Sequence, residues 1–74
     1  MSKPTRITNL IRALRFARGE MTQADLAQRI GVTRQTIIAI EQGRYSPSLE
    51  VAFQIARVLR VPLDEVFQYP DGES

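Results

Sequence analysis

The sequence predicts a compact all-α domain of five short helices. Three observations support this prediction: apolar residues recur at spacings of three and four, capping and helix-stopping residues punctuate the chain, and no alternating strand pattern or internal repeat is present. The 74 residues suffice for one small domain. We expect it to span residues 7–69, between a flexible N-terminal arm at residues 1–6 and a polar C-terminal tail at residues 70–74.

The first predicted helix covers residues 7–17, with Ile7, Ile11 and Leu14 along its inward stripe. Phe16 lies nearly opposite this stripe. It therefore either packs under the following loop, which we favour, or is exposed to a partner.

The second predicted helix is marked at both ends. Thr22 is a good N-cap, and Asp25, three residues later, can return the hydrogen bond as a weak capping box. Gly31 can end the helix in the left-handed conformation because it has no Cβ to clash.

The third predicted helix covers residues 34–42, with Thr33 as its cap and Gly43 as its stop. Its inward face contains Ile37 and Ile40. Its outward face consists of Arg34, Gln35, Ile38, Ala39 and Gln42. A helix that is buried on one side and presents Arg and Gln on the other suits the major groove of DNA.

The fourth predicted helix covers residues 49–59, with Ser48 as its N-cap, and is apolar almost all round. It therefore either lies in the middle of the bundle or covers a second surface. Pro62 begins a short fifth helix at residues 63–67. The predicted core is Ile11, Leu14, Leu26, Ala27, Ile30, Val32, Ile37, Ile40, Leu49, Ala52, Ile55, Ala56, Leu59 and Phe67.

Charge is unevenly distributed along the chain. Residues 1–44 carry eight basic and three acidic groups, a net charge of +5, whereas residues 45–74 carry two basic and five acidic groups, a net charge of −3. A basic half suits a polyanionic partner, although a solvated helical surface would show the same charges. Nine of the ten basic residues are Arg, which favours bidentate contacts with phosphate and guanine.

Composition argues against an enzyme. The chain has no Cys and no His, and it lacks a Gly-rich phosphate loop and a paired-carboxylate pocket. We expect no cofactor, metal or small-molecule ligand. No apolar run approaches the roughly 20 residues that cross a bilayer, and the N-terminus is not a signal peptide, so we expect a cytoplasmic protein without membrane association.

The second and third helices resemble the phage-repressor type of helix-turn-helix domain, the Cro/cI or XRE family. The resemblance extends over roughly residues 7–69 and implies a lambda-repressor-like fold with the helix-turn-helix at helices 2 and 3. It is carried by Thr22-Gln23, Leu26-Ala27, Gly31-Val32, Thr33-Arg34-Gln35-Thr36-Ile37, Ile40-Glu41-Gln42-Gly43, Tyr45-Ser46-Pro47-Ser48-Leu49 and Val61-Pro62-Leu63-Asp64-Glu65-Val66-Phe67. Two positions depart from the family pattern: Glu20 is a one-residue insertion, and Arg60 stands where Gly is common.

The resemblance implies a sequence-specific transcriptional regulator of double-stranded DNA, most simply a dimeric repressor. It places base contacts at Arg34, Gln35, Ile38 and Ala39, and DNA backbone contacts at Gln23, Thr33, Thr36, Gln42, Arg44 and Tyr45. The alternative for these residues is an ordinary exposed helix surface or, for Tyr45, packing on the fourth helix.

The resemblance also implies a structural ion pair between Arg15 and Glu41 that ties the first helix to the third. For the surface of a homodimer we expect the surplus apolar residues Val51, Val58, Val61, Leu63 and Val66, unless all of them serve the core. An alternative function is an antitoxin-like protein-interaction module that uses its acidic C-terminal half to bind a toxin.

Overall fold

The computed structural model describes residues 5–44 and 46–70, in which five helices and two short strands follow the order β1-α1-α2-α3-α4-α5-β2. The helices are α1 (Ile11–Ala17), α2 (Gln23–Ile30), α3 (Arg34–Glu41), α4 (Leu49–Leu59) and α5 (Leu63–Val66). The strands are β1 (Thr8–Asn9) and β2 (Phe67–Gln68). The five-helix prediction is confirmed. In the described part of the chain, no helix is both long and apolar enough to cross a membrane.

The N-terminal part of the predicted first helix is a strand instead. Thr8 pairs with Gln68 and Asn9 with Phe67 in an antiparallel ladder, which joins the two ends of the described chain. The Leu10 N–H then donates to the Val66 carbonyl at 2.9 Å. Because these backbone groups bond across the fold, they are not available for a helix, and the prediction of a helix from residue 7 was wrong for its first four residues.

The core lies among all five helices. Its buried apolar members are Ile11, Met21, Leu26, Ala27, Ile30, Ile37, Ile40, Ala52, Ile55, Ala56, Leu59 and Val66. Leu14, Val32 and Phe67, which were predicted in the core, are partly buried and pack against it. The prediction was wrong for Leu49, whose relative exposure is 69%.

Local signals at the helix ends have the predicted geometry. The Thr22 hydroxyl accepts from the Asp25 N–H at 3.0 Å, and the Asp25 carboxylate accepts from the Thr22 N–H at 3.3 Å, which completes the capping box. Gly31 ends α2 with φ +81°. This sharp turn lets the chain leave α2 and start α3 three residues later, and α2 and α3 form an extensive contact.

Candidate nucleic-acid interface

The outer face of α3 presents the two residues predicted to read DNA bases. Arg34 and Gln35, in the first turn, are both exposed. On the opposite side, Ile37 and Ile40 have relative exposures of 0% and 1%. The rotation of α3 about its own axis is therefore fixed by core packing, which keeps the first-turn side chains outward.

The remaining predicted base-contact residues of α3 are less accessible. Ile38 and Ala39 are each partly buried. They therefore offer a limited apolar surface next to the exposed first turn and have no hydrogen-bonding side chain.

The N-terminus of α3 is capped by Thr33. Its hydroxyl accepts from the Thr36 N–H at 3.1 Å and lies 3.0 Å from the Thr36 hydroxyl. Thr33 is exposed and Thr36 is partly buried. The cap satisfies one of the N–H groups that the first turn leaves without a helical partner and so defines where α3 begins.

A buried ion pair connects α1 to the C-terminal turn of α3. The Nε of Arg15 lies 2.8 Å from Oε2 of Glu41, and Nη2 donates to Oε1 at 3.2 Å. The two side chains are only 8% and 10% exposed. Arg15 Nη1 also donates to the Met21 carbonyl at 2.8 Å, so one guanidinium holds α3 and the loop before α2 at once.

Gln23 joins the same network from the start of α2. Its Nε2 donates to Glu41 Oε1 at 3.1 Å, and the side chain is partly buried. A carboxamide nitrogen has two N–H groups, and this hydrogen bond uses one of them. The second N–H can still donate to another acceptor. The hydrogen bond to Glu41 meanwhile fixes the position of the Gln23 side chain.

The C-terminal end of α3 has the geometry of a Schellman motif. Gly43, with φ +72°, donates its N–H to the Ile40 carbonyl, and the Arg44 N–H donates to the Ala39 carbonyl, both at 3.0 Å. Gln42 and Arg44 lie on either side of Gly43 in this turn, and both are exposed. Tyr45, the last predicted backbone contact, lies outside the described residues.

An open groove of about 980 Å³ brings several of these residues together with two that the sequence did not single out for DNA contact. Its lining includes Gln23, Arg34 and Gln42, and also Arg12 and Phe16 from α1. Sequence reasoning identified Arg12 only as part of a basic half, because no motif marked it.

Phe16 is 52% exposed, and the guanidinium carbons of Arg12 and Arg15 each lie 5.8 Å from its ring centroid. The ring therefore contacts two cationic groups in a cation–π arrangement. The favoured expectation that Phe16 packs under the following loop was wrong, and the side chain is exposed.

Asn9 is a second residue whose role was missed. Its Nδ2 donates to the Ile40 carbonyl at 3.0 Å, and its Oδ1 accepts from the Ile11 N–H at 3.2 Å. One amide thus connects the last turn of α3 to the start of α1. A lone Asn in a predicted helix gave no signal of this role, because the bond joins residues 31 positions apart.

The residues expected at a dimer surface do not form an exposed patch. Val66 has a relative exposure of 0% and belongs to the core, so its assignment to the dimer surface was wrong. Val51, Val58, Val61 and Leu63 are partly buried and pack against the core. The large apolar side chains that are exposed in α4 are instead Leu49 and Phe53, at 69% and 50%.

A family model described as helix-turn-helix matches residues 11–66, which include all five helices. The chain belongs to the helix-turn-helix family. An uncharacterized HTH-type transcriptional regulator of Methanocaldococcus jannaschii is 55% identical over 53 residues, which cover 72% of this chain and 80% of the relative. The cryptic phage CTXphi transcriptional repressor RstR of Vibrio cholerae is 39% identical over 56 residues, 76% of this chain and 50% of the repressor.

A solved structure is similar to this chain in fold and in sequence. The crystal structure of the restriction-modification controller protein C.AhdI from Aeromonas hydrophila superposes with a TM-score of 0.67 at 31% identity, covering 74% of this helix-turn-helix chain and 82% of C.AhdI. Across the part of the chain that the structure describes, no group of three or more His, Cys, Asp or Glu residues is placed to hold a metal ion.

Proposed function

We propose that this helix-turn-helix protein is a sequence-specific regulator of transcription that places α3 in the major groove of double-stranded DNA. The observation that carries the proposal is the position of Arg34 and Gln35, exposed on a helix whose opposite side is sealed into the core at Ile37 and Ile40. An α-helix fits the width of the major groove, and the side chains of its N-terminal turn reach the base edges.

Arg34 and Gln35 supply the hydrogen-bonding readout. The guanidinium matches the O6 and N7 acceptors of guanine, and the carboxamide matches N6 and N7 of adenine, with about 1–3 kcal/mol of discrimination for each bidentate pair. Ile38 and Ala39, partly buried beside them, contribute apolar contact with the methyl group of thymine. Recognition therefore rests mainly on the first turn of α3.

Contacts to the sugar-phosphate backbone would fix the register of α3 on the duplex. Gln23 donates its second amide N–H to phosphate while Glu41 holds the first. Thr33, Thr36, Gln42 and Arg44 contribute from the two ends of α3, with Arg44 as the cationic contact. Tyr45, which follows Arg44 in the sequence, would add a further backbone contact.

The protein would act as a repressor by occupying an operator. Its similarity to a phage transcriptional repressor from Vibrio cholerae supports the choice of repression. One reading helix covers a few base pairs, so useful specificity requires two copies on a two-fold site. Their reading helices would then lie about one DNA turn, roughly 34 Å, apart. We therefore propose that the functional unit on DNA is a homodimer.

Selection of bound duplexes from a random pool tests this function. The protein is incubated with random-sequence DNA near physiological salt, and bound molecules are recovered and sequenced over several rounds. We expect enrichment of an inverted repeat whose half-sites are centred about 10 base pairs apart. A pool that remains random, or binding that does not discriminate between the enriched site and a scrambled duplex, would contradict the proposal.

A further inference from the structure

The exposed residues of α4 lie on one side of the helix. With about 100° of rotation per residue, Leu49, Phe53 and Arg57 fall within an arc of about 80°, and Glu50 lies about 20° outside it. All four are exposed, whereas Ala52, Ile55, Ala56 and Leu59, which fall in a separate arc of the helix, are buried. The helix predicted to be apolar almost all round therefore presents two large apolar side chains, framed by charges, away from the core.

The charges on this face are arranged symmetrically about Phe53. Glu50 precedes Phe53 by three residues and Arg57 follows it by four, so the two charges lie about 4.5 Å and 6 Å from it along the helix axis, in opposite directions. Among the residues that the structure describes, neither Glu50 nor Arg57 takes part in an ion pair. A second α4 running antiparallel, with Phe53 near the two-fold axis, would face each Glu50 with an Arg57 of the other copy.

We propose that the face formed by Leu49, Glu50, Phe53 and Arg57 is the homodimer surface of this protein, with the α4 helices of two copies packed antiparallel. A two-fold contact requires a self-complementary surface. This face has an apolar centre, with a negative charge towards one end and a positive charge towards the other. The inference rests on the proposed function, since reading two half-sites requires two copies. It replaces the partly buried residues that sequence reasoning assigned to the dimer.

The size of the face indicates how strongly the copies associate. An 11-residue helix is about 16 Å long, so its exposed side is well below the roughly 800 Å² per partner of a standard stable interface. Association in solution is therefore weak, and binding of both copies to one DNA duplex supplies the effective concentration that completes the dimer. This dimer forms mainly on its operator.

Charge exchange between copies gives a specific test. In Glu50→Lys the antiparallel contact places Lys against Arg57 at both ends, and in Arg57→Glu it places two Glu residues together. We expect each variant alone to dimerise about tenfold more weakly than the wild-type protein in sedimentation equilibrium at several hundred micromolar. An equimolar mixture of the two variants restores both attractions, so its dimerisation should return to the wild-type level.

The mixture also controls for folding. A folding defect in either variant would persist in the mixture, so recovery of the dimer would show that the charges had weakened it. Phe53→Ala should weaken the dimer, whereas Phe16→Ala, an equally exposed aromatic in α1, should leave it unchanged. The proposal is overturned if the single charge variants dimerise like the wild type, or if the mixture remains as weak as its components.

DNA binding separates a failure of this surface from a failure of the regulator function. With a selected inverted repeat, Phe53→Ala should lose cooperativity between half-sites but retain the affinity for a single half-site. Cooperative, sequence-selective binding that Phe53→Ala and both charge variants leave intact would reject the surface and keep the regulator. Absence of any sequence-selective binding by the wild-type protein would instead reject the regulator function.

Discussion

The Nε of Arg15 in α1 lies 2.8 Å from Oε2 of Glu41 in α3, and both side chains are at least 90% buried. The same carboxylate accepts from Gln23 in α2, so three helices meet at one acidic group near the end of the proposed reading helix. Such a pair orients helices more reliably than it adds stability, because removing two charges from water offsets much of their attraction. Its structural effect is to fix the orientation of α3 relative to α1 and α2.

We predict that Arg15→Ala strongly destabilises the fold. The substitution leaves the Glu41 carboxylate buried without its cation and removes the donor to the Met21 carbonyl, and breaking a buried pair costs about 3–5 kcal/mol. Urea unfolding followed by circular dichroism measures this loss. The matched control is Arg18→Ala in the exposed turn after α1, which should change the free energy of unfolding by less than about 0.5 kcal/mol. Equal stability of the Arg15 variant and the wild type would show that Glu41 needs no partner.

Arg34→Ala and Gln35→Ala should alter the choice of sequence rather than the fold. Both residues are exposed, so their removal leaves the core intact. Each variant should lose about 1–3 kcal/mol of discrimination at one position of the half-site and keep nearly the same affinity for unrelated DNA. Competition binding against single-base variants of the selected site measures this. An unaltered base preference in both variants would remove these side chains from readout.

Arg44→Ala should instead weaken binding to every sequence by a similar factor. Arg44 is exposed at the end of the Schellman turn, where its proposed contact is a phosphate, and loss of one phosphate contact reduces the slope of log K against log salt by about 0.9. Titrations of selected and scrambled duplexes at several salt concentrations measure the slope. Arg44→Lys retains the charge and should retain the slope, so a loss of slope in the Lys variant would point to a role other than charge.

Sequence reasoning succeeded where structure is decided by neighbouring residues. The capping box of Thr22 and Asp25 and the left-handed end at Gly31 are local signals, and α2 begins and ends where they place it. The ladder between β1 and β2 could not be found this way, because it joins Thr8 to Gln68 across two-residue strands.

The orientation of α4 was the other feature beyond reach of the sequence. An almost wholly apolar helix does not reveal which side faces the core, so Leu49 was placed inside although it is exposed. The proposed dimer surface could be identified only from the structure, which shows which side of α4 packs against the core. For the proposed DNA interface, periodicity predicted the outward direction of Arg34 and Gln35. The hydrogen bond from Asn9 to Ile40 and the place of Arg12 in the groove depended on the tertiary fold.

Arg60 ends α4 in the left-handed conformation, with φ +63° and ψ +41°, at a position where a glycine would be unstrained. A residue with a Cβ costs about 1–2 kcal/mol there, and the greater chain entropy of glycine in the unfolded state offsets about half of that gain. Arg60→Gly should therefore stabilise the protein by about 0.5–1 kcal/mol and raise Tm by about 2–8 °C. Arg29→Gly provides the matched control, since Arg29 lies in the last turn of α2 with helical geometry and should lower stability by about 1 kcal/mol. Thermal unfolding of both variants beside the wild type measures the difference, and a lower Tm for Arg60→Gly would mean that contacts of the Arg60 side chain outweigh its backbone strain.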